Sequence, residues 1–333
     1  MSKPSFLLCL NGSSQSQRAA NLAFEMARKS NAQLTAHHVV DTSTTWDFLR
    51  NDEPGFIGSG VYVETFELLK NAQWGIACKL LEKYEAVAET QDIVSTSFID
   101  EGAPVEQICK RAKDHDLVIV GHRHFMKNAN PKERWHYVHY TIAEGLANQC
   151  PKPLLIVQDF GPDLWDDMKI LVSLEHLNVT FIRACLRTAF FFGLSPQIIC
   201  LMNGYHEESA KDLIENLHKT HPDLAEIDIT TKTVRSKDAV NQDKIELWSS
   251  NPVNIEFDFS QMKKSLVIVP TRKVQDRSYS ILGSEASELV SKLPIASILL
   301  WPEESIASHT TCEKKCECES KCENKKFEKL TAQ

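Results

Sequence analysis

Leu117–Val120 reads LVIV, and Leu266–Val269 reads LVIV again. A run of four aliphatic residues with no polar position suits a strand buried on both faces, as in a parallel sheet covered by helices, better than a strand with one wet face. Each run precedes a polar, basic loop, a helix and a final apolar run, Leu154–Val157 in the first case and Ser297–Trp301 in the second. Working outward, Phe6–Leu10 and Lys169–Ser173 (KILVS) are matching apolar runs, followed by the helix-period segments Gln15–Lys29 and Val179–Phe192. In the first half Leu34–Val40, the long amphipathic stretch Val61–Ala88, Ile93–Ile99, Val105–Lys113 and a helix over Thr141–Asn148 complete an alternation of strands and helices. Parallel strands need crossover connections, so this alternation predicts a doubly wound α/β sheet. Its recurrence predicts two such units, at residues 1–160 and 168–303, joined by a linker at Asp159–Asp167. The second unit is less regular: Arg235–Ser260 is polar and contains Pro252, with a short helix expected near Asp243–Ser249.

Composition sets outer bounds. The chain has 333 residues, 42% hydrophobic and 25% charged, with 37 Lys and Arg against 45 Asp and Glu for a net charge of −8. That length is enough for two cores. The acidic balance argues against a general nucleic-acid binder, whose affinity rests on neutralising phosphates. No apolar run approaches the roughly 18 residues of a membrane span, and the N-terminus lacks a signal-peptide pattern, so a cytoplasmic protein is expected. Six of the ten cysteines stand singly in apolar segments and read as buried reduced thiols. His37 and His38 share a strand, point to opposite faces and cannot chelate together; one is expected inside.

The order and spacing of these segments resemble the universal stress protein family. The likeness rests on the first strand ending in LNGSSQS, the second in HHVVD, the fourth reading LVIVG and the fifth introduced by CPKPLLIV, and it covers residues 3–303. The resemblance implies two five-stranded parallel sheets of order 3-2-1-4-5, and dimerisation through the last strand. A tandem chain would satisfy that pairing internally by docking Leu154–Val157 against Ser297–Trp301, which removes two exposed edges. A homodimer remains open.

The family's nucleotide-binding branch carries, after the fourth strand, Gly, two residues, Gly, nine residues, then Gly and Ser or Thr. Glycines let backbone amides approach phosphate, and the hydroxyl residue opens a helix whose N-terminus favours anions. In the first half Gly121 matches the first glycine and Thr141 keeps the hydroxyl, but His124 and Tyr140 replace the other glycines and the loop is fifteen residues rather than nine. In the second half Pro270 and Lys273 replace the first two glycines, while Gly283 and Ser284 match the end of the motif at the right spacing. The acidic residue after the first strand corresponds to Asn11 and Glu175. A β-carbon obstructs phosphate and a proline removes a donor, so neither half is expected to hold ATP in the family manner. Any residual ATP binding is expected at Glu175, Gly283 and Ser284. Arg123, Lys127, Lys132 and Arg134 in the first loop, with Arg272, Lys273 and Arg277 in the second, read as solvated charges before they read as an anion site.

No catalytic motif is recognisable: the chain lacks a Gly-x-Ser-x-Gly elbow, a Walker loop and a His-Glu-x-x-His. His122, His124, His136 and His139 fit no metal spacing and read as packing and hydrogen-bonding groups. The last segment, residues 304–333, is rich in Glu, Lys and Cys and is expected to be disordered. Within it Cys312, Cys316, Cys318 and Cys322 form C-x3-C-x-C-x3-C, four soft ligands that suit Zn²⁺ or Cu(I), or reversible oxidation. The expectation is therefore a non-enzymatic stress-response or regulatory binding module whose partner is a protein or small ligand. The alternatives are ATP binding through the second half and metal buffering or redox sensing through the tail.

Overall fold

The computed structural model describes residues 3–51, 59–122, 141–158, 165–173, 179–203, 212, 215–216, 218–220, 222, 228–234, 264–271 and 297–302. The expected helix near Asp243–Ser249, the residues Glu175, Gly283 and Ser284, and the cysteine-rich tail lie outside them.

The first half runs β1 (Ser5–Cys9), α1 (Ser14–Ser30), β2 (Gln33–Val40), α2 (Thr42–Asn51), α3 (Ser59–Thr90), β3 (Ser95–Glu101), α4 (Pro104–Ala112), β4 (Leu117–Gly121), α5 (Ile142–Gln149) and β5 (Leu154–Val157). The second contributes β6 (Asp167–Ser173), α6 (Val179–Phe192), β7 (Ser195–Asn203), β8 (Asp228–Val234), β9 (Ser265–Thr271) and β10 (Ser297–Pro302). The ten strands lie in the order β3-β2-β1-β4-β5-β10-β9-β6-β7-β8, so each half has the expected 3-2-1-4-5 order. Within each half neighbouring strands are parallel; β5 and β10 meet antiparallel, with Ile156 opposite Ile298 and Leu155 opposite Leu299. The expected docking of Leu154–Val157 against Ser297–Trp301 is present and joins the two expected five-stranded sheets. The seam between them is a hydrogen-bonded ladder, so they form one continuous sheet and neither fifth strand is an edge.

Side-chain alternation sorts the core into two layers. On one face Phe6, Leu8, Leu34, Ile119, Leu155, Ile170, Ile268 and Leu299 pack with α1, α3 and α6. On the other, Leu7, Val118, Ile156, Val267 and Ile298 pack with α4 and α5. Because strand direction reverses at the seam while α1 and α6 stay on one face, the halves are related by an approximate twofold along the sheet normal. The helix ends follow local chemistry. Ser13 caps α1 by accepting a hydrogen bond from the Ser16 amide, and Asn31 ends it in the left-handed region at φ 51°. Asp41 accepts hydrogen bonds from Ser43 Oγ and the Thr44 amide and so opens α2.

Some expectations need correction. Asp167 belongs to β6 rather than to the linker, since it pairs with Ser195 and Ser265. Cys9, Cys150 and Cys185 are buried, but Cys78 and Cys109 are only half-buried, because they lie on helix flanks that turn partly to solvent. No helix among the described residues is long and apolar enough to cross a membrane.

Candidate functional site

In an open α/β sheet, ligands bind beyond the carboxyl ends of the strands where the strand order reverses. Here that point lies between β1 and β4, and three of the expected residues stand around it: Asn11, Gly121 and Thr141. Asn11 follows β1 and is exposed; its Oδ1 accepts hydrogen bonds from the Ser13 amide at 3.1 Å and Ser13 Oγ at 2.7 Å. Gly12, at φ 77°, makes the left-handed step that allows this turn. The side chain that stands where an acidic residue was expected is thus uncharged and turned into its own loop.

Gly121 ends β4 directly against the first turn of α1. A β-carbon there would lie 2.5 Å from the Gln15 carbonyl carbon and oxygen and 2.6 Å from the Ser16 nitrogen. All three are backbone atoms and cannot swing aside, so glycine is required by helix–strand packing whether or not a phosphate ever approaches. The next residue, His122, is buried, and its amide donates to the Val157 carbonyl at 2.8 Å. Its Nδ1 lies 3.5 Å from Thr141 Oγ1, which ties the end of β4 to the start of α5.

Thr141 forms a reciprocal cap on α5. Its hydroxyl accepts from the Glu144 amide at 3.3 Å, and its own amide donates to Glu144 Oε2 at 2.6 Å. The hydroxyl expected beside phosphate is therefore a helix cap, and a carboxylate already sits at the helix N-terminus, where the dipole favours an anion. His124, His136 and His139 and the loop's Arg123, Lys127, Lys132 and Arg134 lie outside the described residues. Among the described residues no cluster of three or more His, Cys, Asp or Glu side chains could hold a metal ion.

A second polar group, on β2, β3 and α4, was only partly legible beforehand. His37 is buried as expected of one member of the histidine pair, and its Nε2 lies 2.9 Å from Asp100 Oδ2. Asp100 also accepts a two-pronged hydrogen bond from Arg111 Nε and Nη2, each at 2.9 Å, while that guanidinium stacks over the Phe98 ring at 4.2 Å. Burial lowers His37 to about pKa 4 and outweighs the opposing pull of Asp100. Burial works against ionisation of Asp100, yet the Arg111 hydrogen bonds and charge hold it below the ordinary carboxylate value. The neutral imidazole therefore donates from Nε2, leaving a buried Nδ1 without a hydrogen-bond partner. This arrangement can lock β2 to β3 and α4, and among the described residues no side chain hydrogen-bonds that nitrogen. Neither Asp100 nor Arg111 was singled out from the sequence; the only cue is an acidic residue at the end of a strand neighbouring a histidine-bearing one.

The universal stress protein family model matches residues 5–158. No curated protein matches the chain. Among solved structures, a universal stress protein from Archaeoglobus fulgidus DSM 4304 is similar over 90% of this chain and 96% of its own, with a TM-score of 0.53 at 12% identity. A functionally unknown protein from Pseudomonas aeruginosa PAO1 is similar over 93% of this chain and 97% of its own, with a TM-score of 0.52 at 10% identity. A universal stress protein family protein from Arabidopsis thaliana, solved with AMP bound, overlaps 46% of this chain and 91% of its own, with a TM-score of 0.31 at 15% identity. At such identities the first two likenesses speak for the fold, which they follow across both halves of the sheet. Residues 5–158 are thus similar to the universal stress protein family, and the same strand order continues through the second half of the sheet.

Proposed function

We propose that the chain is a tandem universal stress protein, with units at residues 1–160 and 168–303, acting in a stress response as a non-enzymatic binding module whose first nucleotide cradle is closed. The observation that carries this reading is the Glu144 carboxylate, 2.6 Å from the Thr141 amide at the N-terminus of α5. A phosphate placed there would meet a like charge and would have to compete for an amide already bonded. Asn11 and Gly121 add to the reading, since both are engaged in backbone packing and turn geometry that need no ligand. Titration of the full chain with a fluorescent ATP analogue and Mg²⁺ tests it. The expected result is no saturable signal that depends on Asn11, Gly121 or Thr141; a signal lost in Thr141→Ala and retained in Ser284→Asp would overturn it.

A second reading, ATP binding through the second unit, is favoured by the nine-residue spacing that leads to Gly283 and Ser284. In that case Ser284→Asp, which sets a like charge against phosphate, abolishes the signal. The third concerns the tail: Cys312, Cys316, Cys318 and Cys322 would take about one Zn²⁺ or Cu(I) per chain. Metal content of the reduced protein, compared with a quadruple Cys→Ser variant, tests it; equal content in both excludes the tail as the site.

A further inference from the structure

The two halves enclose a cavity of about 430 Å³ on the face carrying α1 and α6. It exists because of the topology. On that face α1 covers the first half and α6 the second, while α5, the helix that leads into β5, packs on the opposite face. Among the described residues no helix lies above the seam strands β5 and β10 there, and the C-terminal turns of α1 and α6 flank the gap. Its floor is Phe6, Leu117, Leu155, Leu266 and Leu299, each less than a tenth exposed, so the cavity is a recess rather than a flat apolar face. Its walls are Met26 of α1 and Phe191 and Phe192 of α6. Aromatic edge contacts brace the surroundings: Trp165 against Phe192 at 5.6 Å and Trp301 against Phe181 at 6.1 Å. A preformed, largely apolar recess of this volume falls within the range of small-molecule sites, roughly 300–1,000 Å³.

The polar groups at its edge narrow the class of occupant. Asp116 and Arg187 both line it, so a ligand of either sign would gain one charge and meet the other. Neither is idle: Asp116 Oδ2 accepts from the Ser5 amide at 2.9 Å, and Arg187 is engaged within the protein as well. Ser30 Oγ donates to the Met26 carbonyl at 2.7 Å and Thr188 Oγ1 donates to the Ala184 carbonyl at 3.0 Å, one from each wall. With their protons committed to the helices, both hydroxyl oxygens keep lone pairs that can accept at the edge of this otherwise apolar recess. We infer that the seam cavity is a binding site for a neutral, lipophilic small molecule carrying a hydroxyl donor, of the size of an alkylphenol. Such a ligand buries its apolar body against the floor at no cost in buried charge and donates to Ser30 or Thr188. The site lies away from the strand carboxyl ends where a nucleotide would sit, since Pro4, Asp116 and Pro153 mark the opposite, amino-terminal ends of β1, β4 and β5.

The test uses the full chain with the neutral dye Nile red as reporter and 4-octylphenol and decanoate as competitors. The expected result is saturation at one dye per chain, displacement by 4-octylphenol at a concentration at least tenfold below that of decanoate, and at least tenfold weaker binding in Ser30→Trp or Thr188→Trp, which fill the recess from opposite walls. Thr188→Val, which removes the acceptor and keeps the volume, should narrow the preference for octylphenol over octylbenzene several-fold. Absence of saturable binding, equal competition by decanoate, or wild-type binding in a folded tryptophan variant would overturn the inference. So would loss of the dye signal on concentration-dependent dimerisation, which would make the recess a contact between copies. If neither tryptophan variant folds, the competition order in the unmodified protein still decides.

Discussion

The two LVIV strands share a core and differ at their exits. Leu117–Val120 and Leu266–Val269 are buried throughout and stand in equivalent places, each between the first strand of its half and the seam strand. After Val120 comes Gly121, which lets the first turn of α1 press on the strand end. After Val269 comes Pro270, opposite Trp301 of β10 but beyond the last pair with β6, Ile170 with Ile268, so its missing amide costs no ladder bond on that side. Identical runs thus give the same sheet position, and the residue after the run, glycine in the first half, is what lets α1 press on the strand end there. The comparison extends to the flanks. Register places Cys9 beside His37 and Val39 beside Asp100 in the first half; the equivalent pairs in the second are Leu171 with Ile199 and Leu201 with Lys232. Among the described residues the His37–Asp100–Arg111 group has no counterpart in the second half, because Ile199 and Lys232 stand at the positions of His37 and Asp100.

Four perturbations sharpen or break this comparison. Ile119→Ala and Ile268→Ala each delete a fully buried side chain from the same layer, so both should lower stability by about 2–5 kcal/mol, and by similar amounts, in denaturant unfolding. A large cost at only one would deny that the strands are equivalent. Gly121→Ala places a β-carbon against backbone and should cost about 2–3 kcal/mol, whereas Pro270→Ala should cost about 1 kcal/mol or less. Next comes acid sensitivity. His37 has a folded pKa of about 4 against an ordinary 6.5, so between those values the unfolded chain binds more protons and stability falls as pH drops. His37→Ile, which copies Ile199 of the second half, should flatten that fall by about 3 kcal/mol between pH 6.5 and 4, read from urea midpoints. An unchanged slope would show that another group governs it. Smallest is the cap: Thr141→Ala should cost about 1 kcal/mol, with Thr141→Ser near neutral.

Much of the frame was readable because the determining signals are local. The LVIV runs, the α1 stretch after Ser13 and the α6 stretch Val179–Phe192 have apolar periods that set both element type and buried face. What was missed has weaker local signals. α2 is TSTTWDFLRN, poor in good helix formers and held by the Asp41 cap and by packing on α3. β8, DITTKTV, is an outer strand with most of its positions polar, and β7 begins Ser-Pro, which reads as a turn. At the candidate site, Asn11, Gly121 and Thr141 were found by spacing, but their engagement in turn, packing and cap depends on Ser13, Gln15, Ser16 and Glu144. Gln15 and Ser16 become partners only once β4 is laid beside α1, whereas Ser13 and Glu144 are local to Asn11 and Thr141. The seam cavity had no signal in the chain at all, since its walls are brought together from Met26 and Phe191 by the antiparallel pairing of β5 with β10.

The central claim, that the first cradle is closed by the chain's own groups, is tested most directly by native mass spectrometry of the full chain with added ATP and Mg²⁺, compared with Glu144→Gln and Ser284→Asp. The account predicts that any bound nucleotide in the unmodified chain disappears in Ser284→Asp, so that none resides at Asn11, Gly121 and Thr141. One nucleotide per chain that persists in Ser284→Asp and is lost in Thr141→Ala would contradict it.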